Sequence, residues 1–183
     1  MSEYKYYKGI SLTQQYDATV IGLINQNNRV IFMKSTLQIE NEGQLLFIDV
    51  DTFKKYWRRN NYDEWSKYAN ASEHELRKDY KFELAESGFS QGEKNPVPVA
   101  VISLLKHTIQ PCIGFTGGIT RTIWLIANGY KIIPFEVRNA TSDFLLDKGI
   151  YTLKEIIERD IRENMYKKLW GSIRRWTNNY IKS

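Results

Sequence analysis

Between positions 17 and 50 the apolar residues come in three short bursts, "DATVIGLI", "RVIFMK" and "LLFIDV", parted by the turn-rich pieces "NQNN" and "ENEGQ". Bursts of this length and β-branched content predict three strands of an antiparallel meander. Asp51 ahead of "TFKKYWRRN" predicts a short helix whose first free amides are satisfied by an acidic N-cap. The aromatic and polar stretch "YDEWSKYANA" follows with no clear period. Ser72 and Glu75 form a capping-box pattern, which predicts a helix running through "EHELRKDYKFELAES" to Gly88. A polar loop, "GFSQGEKNP", then feeds the apolar run "VPVAVISLL". Pro96 and Pro98 place the start of that strand at a sheet edge or in a loop, since neither can donate to a ladder.

In the second half, "CIGFTGGITRTIWLIANGYKIIPFEV" reads as a strand, a double-glycine turn, a buried helix beginning near Ile119, and another strand. Thr152 and Glu155 make a second capping box and open a long C-terminal helix. Its apolar stripe is Leu153, Ile157, Ile161, Met165, Leu169 and Ile173, with acidic residues at its start and basic ones at its end, as the helix dipole favours.

Composition narrows the picture. A chain of 183 residues, 42% hydrophobic and 14% aromatic, is long enough to bury one core, and one domain over 1–183 is expected. No apolar run approaches the roughly 20 residues needed to span a bilayer, and "MSEYKYYKGI" has no apolar signal core. Cys112 is the only cysteine, so no internal disulfide forms and no zinc-site spacing exists. These features lead to the expectation of a soluble, cytoplasmic protein. The net charge of +5 is concentrated at the C-terminus, where Lys167, Lys168, Arg174, Arg175 and Lys182 stand with no acidic residue from Tyr166 onward.

The candidate chemistry lies at the glycine turn. The start of a helix offers unpaired amides and partial positive charge, suited to a phosphate or carboxylate. Arg121 adds a planar fork of donors, and Thr116, Thr120 and Thr122 add hydroxyls around Gly117 and Gly118. The alternative is structural, with Thr116 or Gly118 capping the helix and Arg121 paired to a surface carboxylate. The pattern is neither a Walker P-loop nor G-x-G-x-x-G.

Taken together, "ELAESGFSQGEKNPVPVAVI", "GGITR" with its apolar helix, and "NGYKIIPFEV" resemble the core of the ParB and sulfiredoxin superfamily. Within it, "NPVPVA", "FTGGITRTIWLIANG" and "IPFEV" look most like the plasmid fertility-inhibition proteins of the FiwA and Osa type. The resemblance covers about residues 82–137, leaving 1–81 as preceding strands and helices and 138–183 as a C-terminal helical segment. It implies an α+β domain, a mixed sheet with packed helices and a long C-terminal helix, and a phosphate site at Gly118, Thr120 and Arg121, beside Gly117 and Thr116. It also brings Ser90, Gln91 and Asn95, from the loop before the strand, against the same pocket. Several relatives carry a second basic residue or a histidine just before the motif arginine, where this chain has Ile119 and Thr120. The turn also lacks the cysteine a sulfiredoxin needs, and no helix-turn-helix domain of ParB type follows the core.

Hydrolysis of a phosphodiester or nucleotide would need a carboxylate beside Arg121, and Glu86 and Glu136 are nearest by topology, though both also read as ordinary surface carboxylates. The metal is unassigned, and Mg2+ with a nucleoside triphosphate is what the resemblance implies. His74 and His107 have no recognisable partner. In the C-terminal segment, Lys167, Lys168, Arg174 and Arg175 interleave with Trp170, Trp176 and Tyr180, a pattern that suits nucleic acid and equally suits a dipole-matched helix packing its tryptophans. Two functions follow. One is a fertility-inhibition protein that binds DNA or nucleotide and acts as a metal-dependent nuclease or ATPase blocking DNA transfer. The other is a non-catalytic inhibitor of a conjugation or type IV secretion component, or of a toxin, on the same scaffold.

Overall fold

The structure is a computed structural model, and it describes residues 10–15, 18–36, 43–105, 110–137, 149–156 and 158. The α+β expectation holds, with the strands divided between two mixed sheets. In the first, β1 (Ile10–Gln15), β2 (Ala18–Ile24) and β3 (Val30–Ser35) run antiparallel, and the short β5 (Val97–Pro98) joins the edge beside β3 in parallel. The second has the order β7 (Cys112–Gly117), β6 (Ala100–Leu105), β8 (Ile132–Val137), β4 (Gln44–Asp49) and β9 (Ile150–Thr152), antiparallel except for β6 with β8.

The predicted meander therefore breaks after its second strand. The burst "LLFIDV" crosses to an interior position of the other sheet, between β8 and β9, where Leu45, Leu46, Phe47 and Ile48 are all buried. A strand covered on both faces needs flanking strands and layers that a two-strand neighbour cannot supply. β1, absent from the sequence reading, shields the outer edge of β2 with the register Ile10↔Leu23 to Gln15↔Ala18.

Helix α1 (Val50–Trp57) is capped by Asp49, whose carboxylate accepts from the Thr52 amide at 2.8 Å. Asp51, expected as the cap, lies in the first turn instead. A 3-10 helix (Glu64–Asn70) forms the stretch that showed no period. The capping box of Ser72 and Glu75 is present, yet its helix α2 (Glu73–Leu76) stops after four residues. Asp79, almost fully buried, accepts from the Lys81 amide, and its own carbonyl accepts from Phe82. This turn ends the predicted long helix and lets α3 (Phe82–Phe89) restart with Phe82, Ala85 and Phe89 facing inward.

Helix α4 (Ile119–Ala127) buries Ile123, Trp124 and Leu125 completely. Trp124 stacks on Phe89 of α3 with ring centroids 4.3 Å apart. On the β7 side, Phe53, Trp57, Phe115 and Phe135 form an aromatic nest, with Phe53 stacked on Phe135 at 4.8 Å and Trp57 edge-on to Phe115 at 5.2 Å. One buried cluster runs from Ile10 of the first sheet to Ile156, so both sheets share a core. Thr152 and Glu155 make their capping box, and a helix opens at residue 153. The rest of the predicted C-terminal helix, with Lys167, Lys168, Arg174 and Arg175, lies outside the described residues, as does His107.

Candidate functional site

The site is positioned by the place where the chain passes from one sheet to the other. Val99 donates to the Lys34 carbonyl at 2.9 Å, still in the first sheet, and one residue later Ala100 pairs with Phe135 in the second. Arg121, from the first turn of α4, donates from Nη1 to the Pro98 carbonyl at 2.6 Å and so ties this crossover to the glycine turn. The prolyl residue supplies an acceptor with no competing amide of its own. Nearby, Ser35 at the end of β3 donates to Glu136 Oε1 on β8 at 2.9 Å, a second link between the sheets.

Gly118 is the N-cap of α4 and takes φ 91°, a left-handed conformation that L side chains rarely adopt. A Cβ there would lie 2.7 Å from the Ala100 backbone and 2.8 Å from Arg121 Nη2. The guanidinium thus lies over the bare backbone of the turn, an approach that only glycine allows. No side chain caps α4, so its first-turn amides are left for solvent or a ligand. Burial pulls the Arg121 guanidinium below its ordinary pKa, and the charge of Glu136 opposes that shift.

A cleft of about 340 Å³ opens at this turn. Its lining includes Thr116, Gly117, Gly118, Thr120 and Arg121, all nominated by the sequence, together with Ile119. It also includes four residues that the sequence reading did not nominate: Phe115 of β7, Trp65 of the 3-10 helix, and Tyr80 and Lys81 of the turn before α3. The signal for Lys81 was available in Asp79, a turn and cap residue standing just ahead of a new apolar period at Phe82, Ala85 and Phe89. Nothing in the local sequence connects Trp65 to the glycine turn, because the two meet only through tertiary packing.

Other nominated residues sit elsewhere. Thr122 is fully buried, and its hydroxyl bonds back to the Gly118 carbonyl at 3.2 Å. In the loop after α3, Ser90 donates to the Ser87 carbonyl at 2.7 Å, and Asn95 donates to the Gln91 side chain; none of the three lines the cleft. Glu86 is held by the Arg29 guanidinium and by Trp124, whose indole Nε1 donates to it at 3.0 Å. The Arg29 bond holds the Glu86 carboxyl below its usual range. Arg29 in turn lies 4.8 Å over the Trp124 ring, and its carbonyl accepts from the Tyr130 hydroxyl at 3.1 Å. Burial pushes the Tyr130 hydroxyl pKa up. Of the two nominated carboxylates, Glu136 is the one coupled to Arg121, and Glu86 belongs to this separate cluster.

Among the described residues, no group of three or more His, Cys, Asp or Glu could hold a metal ion, and no helix is long and apolar enough to cross a membrane. The arrangement combines a fixed arginine, a second cation and open helix amides with aromatic surface, which is the chemistry of anion binding next to a flat ring.

Comparison with known proteins gives a consistent picture. Residues 45–148 match the family described as Plasmid Fertility inhibition factor, PFIN. Over 93 residues the chain is 28% identical to Protein osa of Shigella flexneri, covering 51% of this chain and 49% of that protein. The chain thus matches about half the length of this curated relative. The crystal structure of Oncogenic Suppression Activity Protein, a plasmid fertility inhibition factor, superposes with a TM-score of 0.65 at 19% identity, over 85% of this chain and 83% of that one. At that identity the likeness is one of fold.

Proposed function

We propose that this chain, which belongs to the plasmid fertility inhibition factor family, limits DNA transfer by binding a nucleotide or nucleic-acid phosphate in the cleft at its glycine turn. The observation that carries this reading is the meeting of Arg121, Lys81 and the uncapped start of α4 in one hollow. Each is a weak anion site alone. Placed together beside low-dielectric aromatic surface they reinforce one another. We read the segment from α3 to β8 as a core of ParB and sulfiredoxin type, on the strength of the double glycine, Arg121 and the proline-led strand.

Turnover to a nuclease or ATPase product requires a carboxylate to position water. Glu136 acts on Arg121 through its charge, but it accepts from Ser35 and does not line the cleft. Glu86 is engaged by Arg29 and Trp124. Among the described residues, no cluster of His, Cys, Asp or Glu fits magnesium. The test is binding and cleavage of a short single-stranded DNA, and hydrolysis of ATP, by wild type and Arg121→Ala. Loss of binding in a folded variant supports the reading, and unchanged binding refutes it.

A second reading, that the protein inhibits a conjugation or secretion component, or a toxin, by docking alone, is favoured by Leu84 and Tyr80. They leave 70% and 77% of their surface in water at and just before α3. Tyrosines are enriched among interface anchors, and an exposed leucine adds apolar surface for a partner to cover. Pull-down with a conjugative coupling ATPase tests it, with Leu84→Ser as the control expected to lose the complex.

A further inference from the structure

The anion-binding parts of the cleft do not account for its aromatic wall. Trp65 is fixed from behind by Tyr68, stacked with centroids 6.0 Å apart and rings within 14° of parallel. Tyr80 keeps a large ring in water at the mouth of the same cleft. The Lys81 ammonium sits 5.0 Å from the centre of the Tyr80 ring, so the second cation and the exposed aromatic form one unit. Phe115 differs from both, because it belongs to the buried nest with Phe53 and Trp57 and serves as the floor. Exposing a tyrosine ring costs apolar burial, and a flat, half-prepared stacking surface next to a phosphate cradle is what an aromatic base requires.

We infer that Trp65 and Tyr80 hold an unpaired base while Lys81 and the glycine turn hold its phosphate, so that the cleft selects nucleotides with a free base face. This inference rests on the phosphate-binding reading above. A duplex covers both faces of every internal base with its neighbours, so only an unstacked or terminal base can present a face to this wall. A volume of about 340 Å³ falls at the small end of the range for ligand pockets, about 300–1,000 Å³, and suits one nucleotide at a time. Free mononucleotides and single-stranded DNA share this chemistry.

The experiment is calorimetric titration of the full chain with pyrophosphate, ADP, a short oligothymidylate, an abasic deoxyribose-phosphate tract of equal length, and a blunt duplex of equal charge. The expected result is that base-bearing probes bind about tenfold or more tightly than the abasic tract and the duplex. Tyr80→Ala and Trp65→Ala should each remove about that factor, Trp65→Phe should retain most of it, and pyrophosphate, which has no base to stack, should lose far less affinity in all three. Tyr80 is exposed, so its variant folds even where Trp65→Ala does not. ADP stronger than oligothymidylate identifies a free nucleotide as the source of the base, and the reverse order identifies a strand. Equal binding of abasic and base-bearing tracts, or a base preference that survives both alanine variants, overturns the inference while pyrophosphate binding keeps the phosphate site intact. No binding of any probe, pyrophosphate included, overturns both.

Discussion

Replacing Gly118 by alanine tests how the turn is built. Two costs add. At φ 91° a side chain is strained, by about 1–2 kcal/mol for an L residue held in the left-handed region. The new methyl also lands 2.6 Å from the Ala100 Cβ and 2.7 Å from its Cα. The second of these is backbone in β6 and cannot swing aside, so overpacking adds about 1–3 kcal/mol. The sum is a loss of about 2–5 kcal/mol, and at about 2–4 °C per kcal/mol for a chain of this size the melting temperature falls by several degrees or more. Gly117→Ala is the matched control. A Cβ there meets nothing within 4 Å and its φ is not positive, so the change is neutral or stabilising by up to about 1 kcal/mol through the unfolded chain. Urea unfolding of the two variants beside wild type reads the difference directly. A Gly118→Ala protein as stable as Gly117→Ala would refute both the left-handed cap and the close approach of α4 to β6.

Three further outcomes are expected. Glu86→Gln should lower stability at neutral pH by about 0.5–1 kcal/mol, a modest figure because the Arg29 and Glu86 side chains remain 37% and 42% exposed. Since the folded-state pKa of Glu86 is depressed, its contribution is present above the unfolded carboxylate value of about 4.3 and vanishes as pH falls through the folded value. Wild type and variant should therefore converge in acid unfolding curves, and a constant gap from neutral pH to about pH 3 would contradict the assignment. Tyr130→Phe deletes the donor to the Arg29 carbonyl and should cost about 1 kcal/mol by urea unfolding, with no effect on ligand binding. Lys81→Gln should weaken binding of a phosphate ligand several-fold and flatten its salt dependence while leaving stability within about 0.5 kcal/mol, measured by titration at two salt concentrations.

Local chemistry was legible where it is self-contained. The Ser72–Glu75 and Thr152–Glu155 capping boxes and the double glycine before α4 each carry their own signal within a few residues; the prolines mark the edge position of β5, but the run "VPVAVISLL", expected as one strand, is split at Val99 between the two sheets. What eluded the sequence depends on distant partners. "LLFIDV" looks like a third hairpin strand until its two covered faces require an interior place in a larger sheet. The residues from Glu73 to Ser87 look like one helix because the buried carboxylate of Asp79 gives no periodic warning of the turn it stabilises. The cleft divides the same way. Its glycine-turn half, with Arg121, is contiguous in the chain, while Trp65, Tyr80 and Lys81 reach it only because the 3-10 helix and the turn before α3 fold across its mouth.

The central claim is that the turn around Arg121 is a phosphate site, and thermal-shift titration with pyrophosphate, ADP and single-stranded DNA tests it most directly. Each variant is compared with its own unliganded melting temperature. A ligand at a hundredfold excess over its dissociation constant adds about 2.7 kcal/mol to the folded state. That corresponds to a rise of roughly 5–11 °C at this chain length. The account predicts such a rise for wild type and its loss in Arg121→Ala. A rise of equal size in both proteins, or none with any phosphate ligand in wild type, would contradict it.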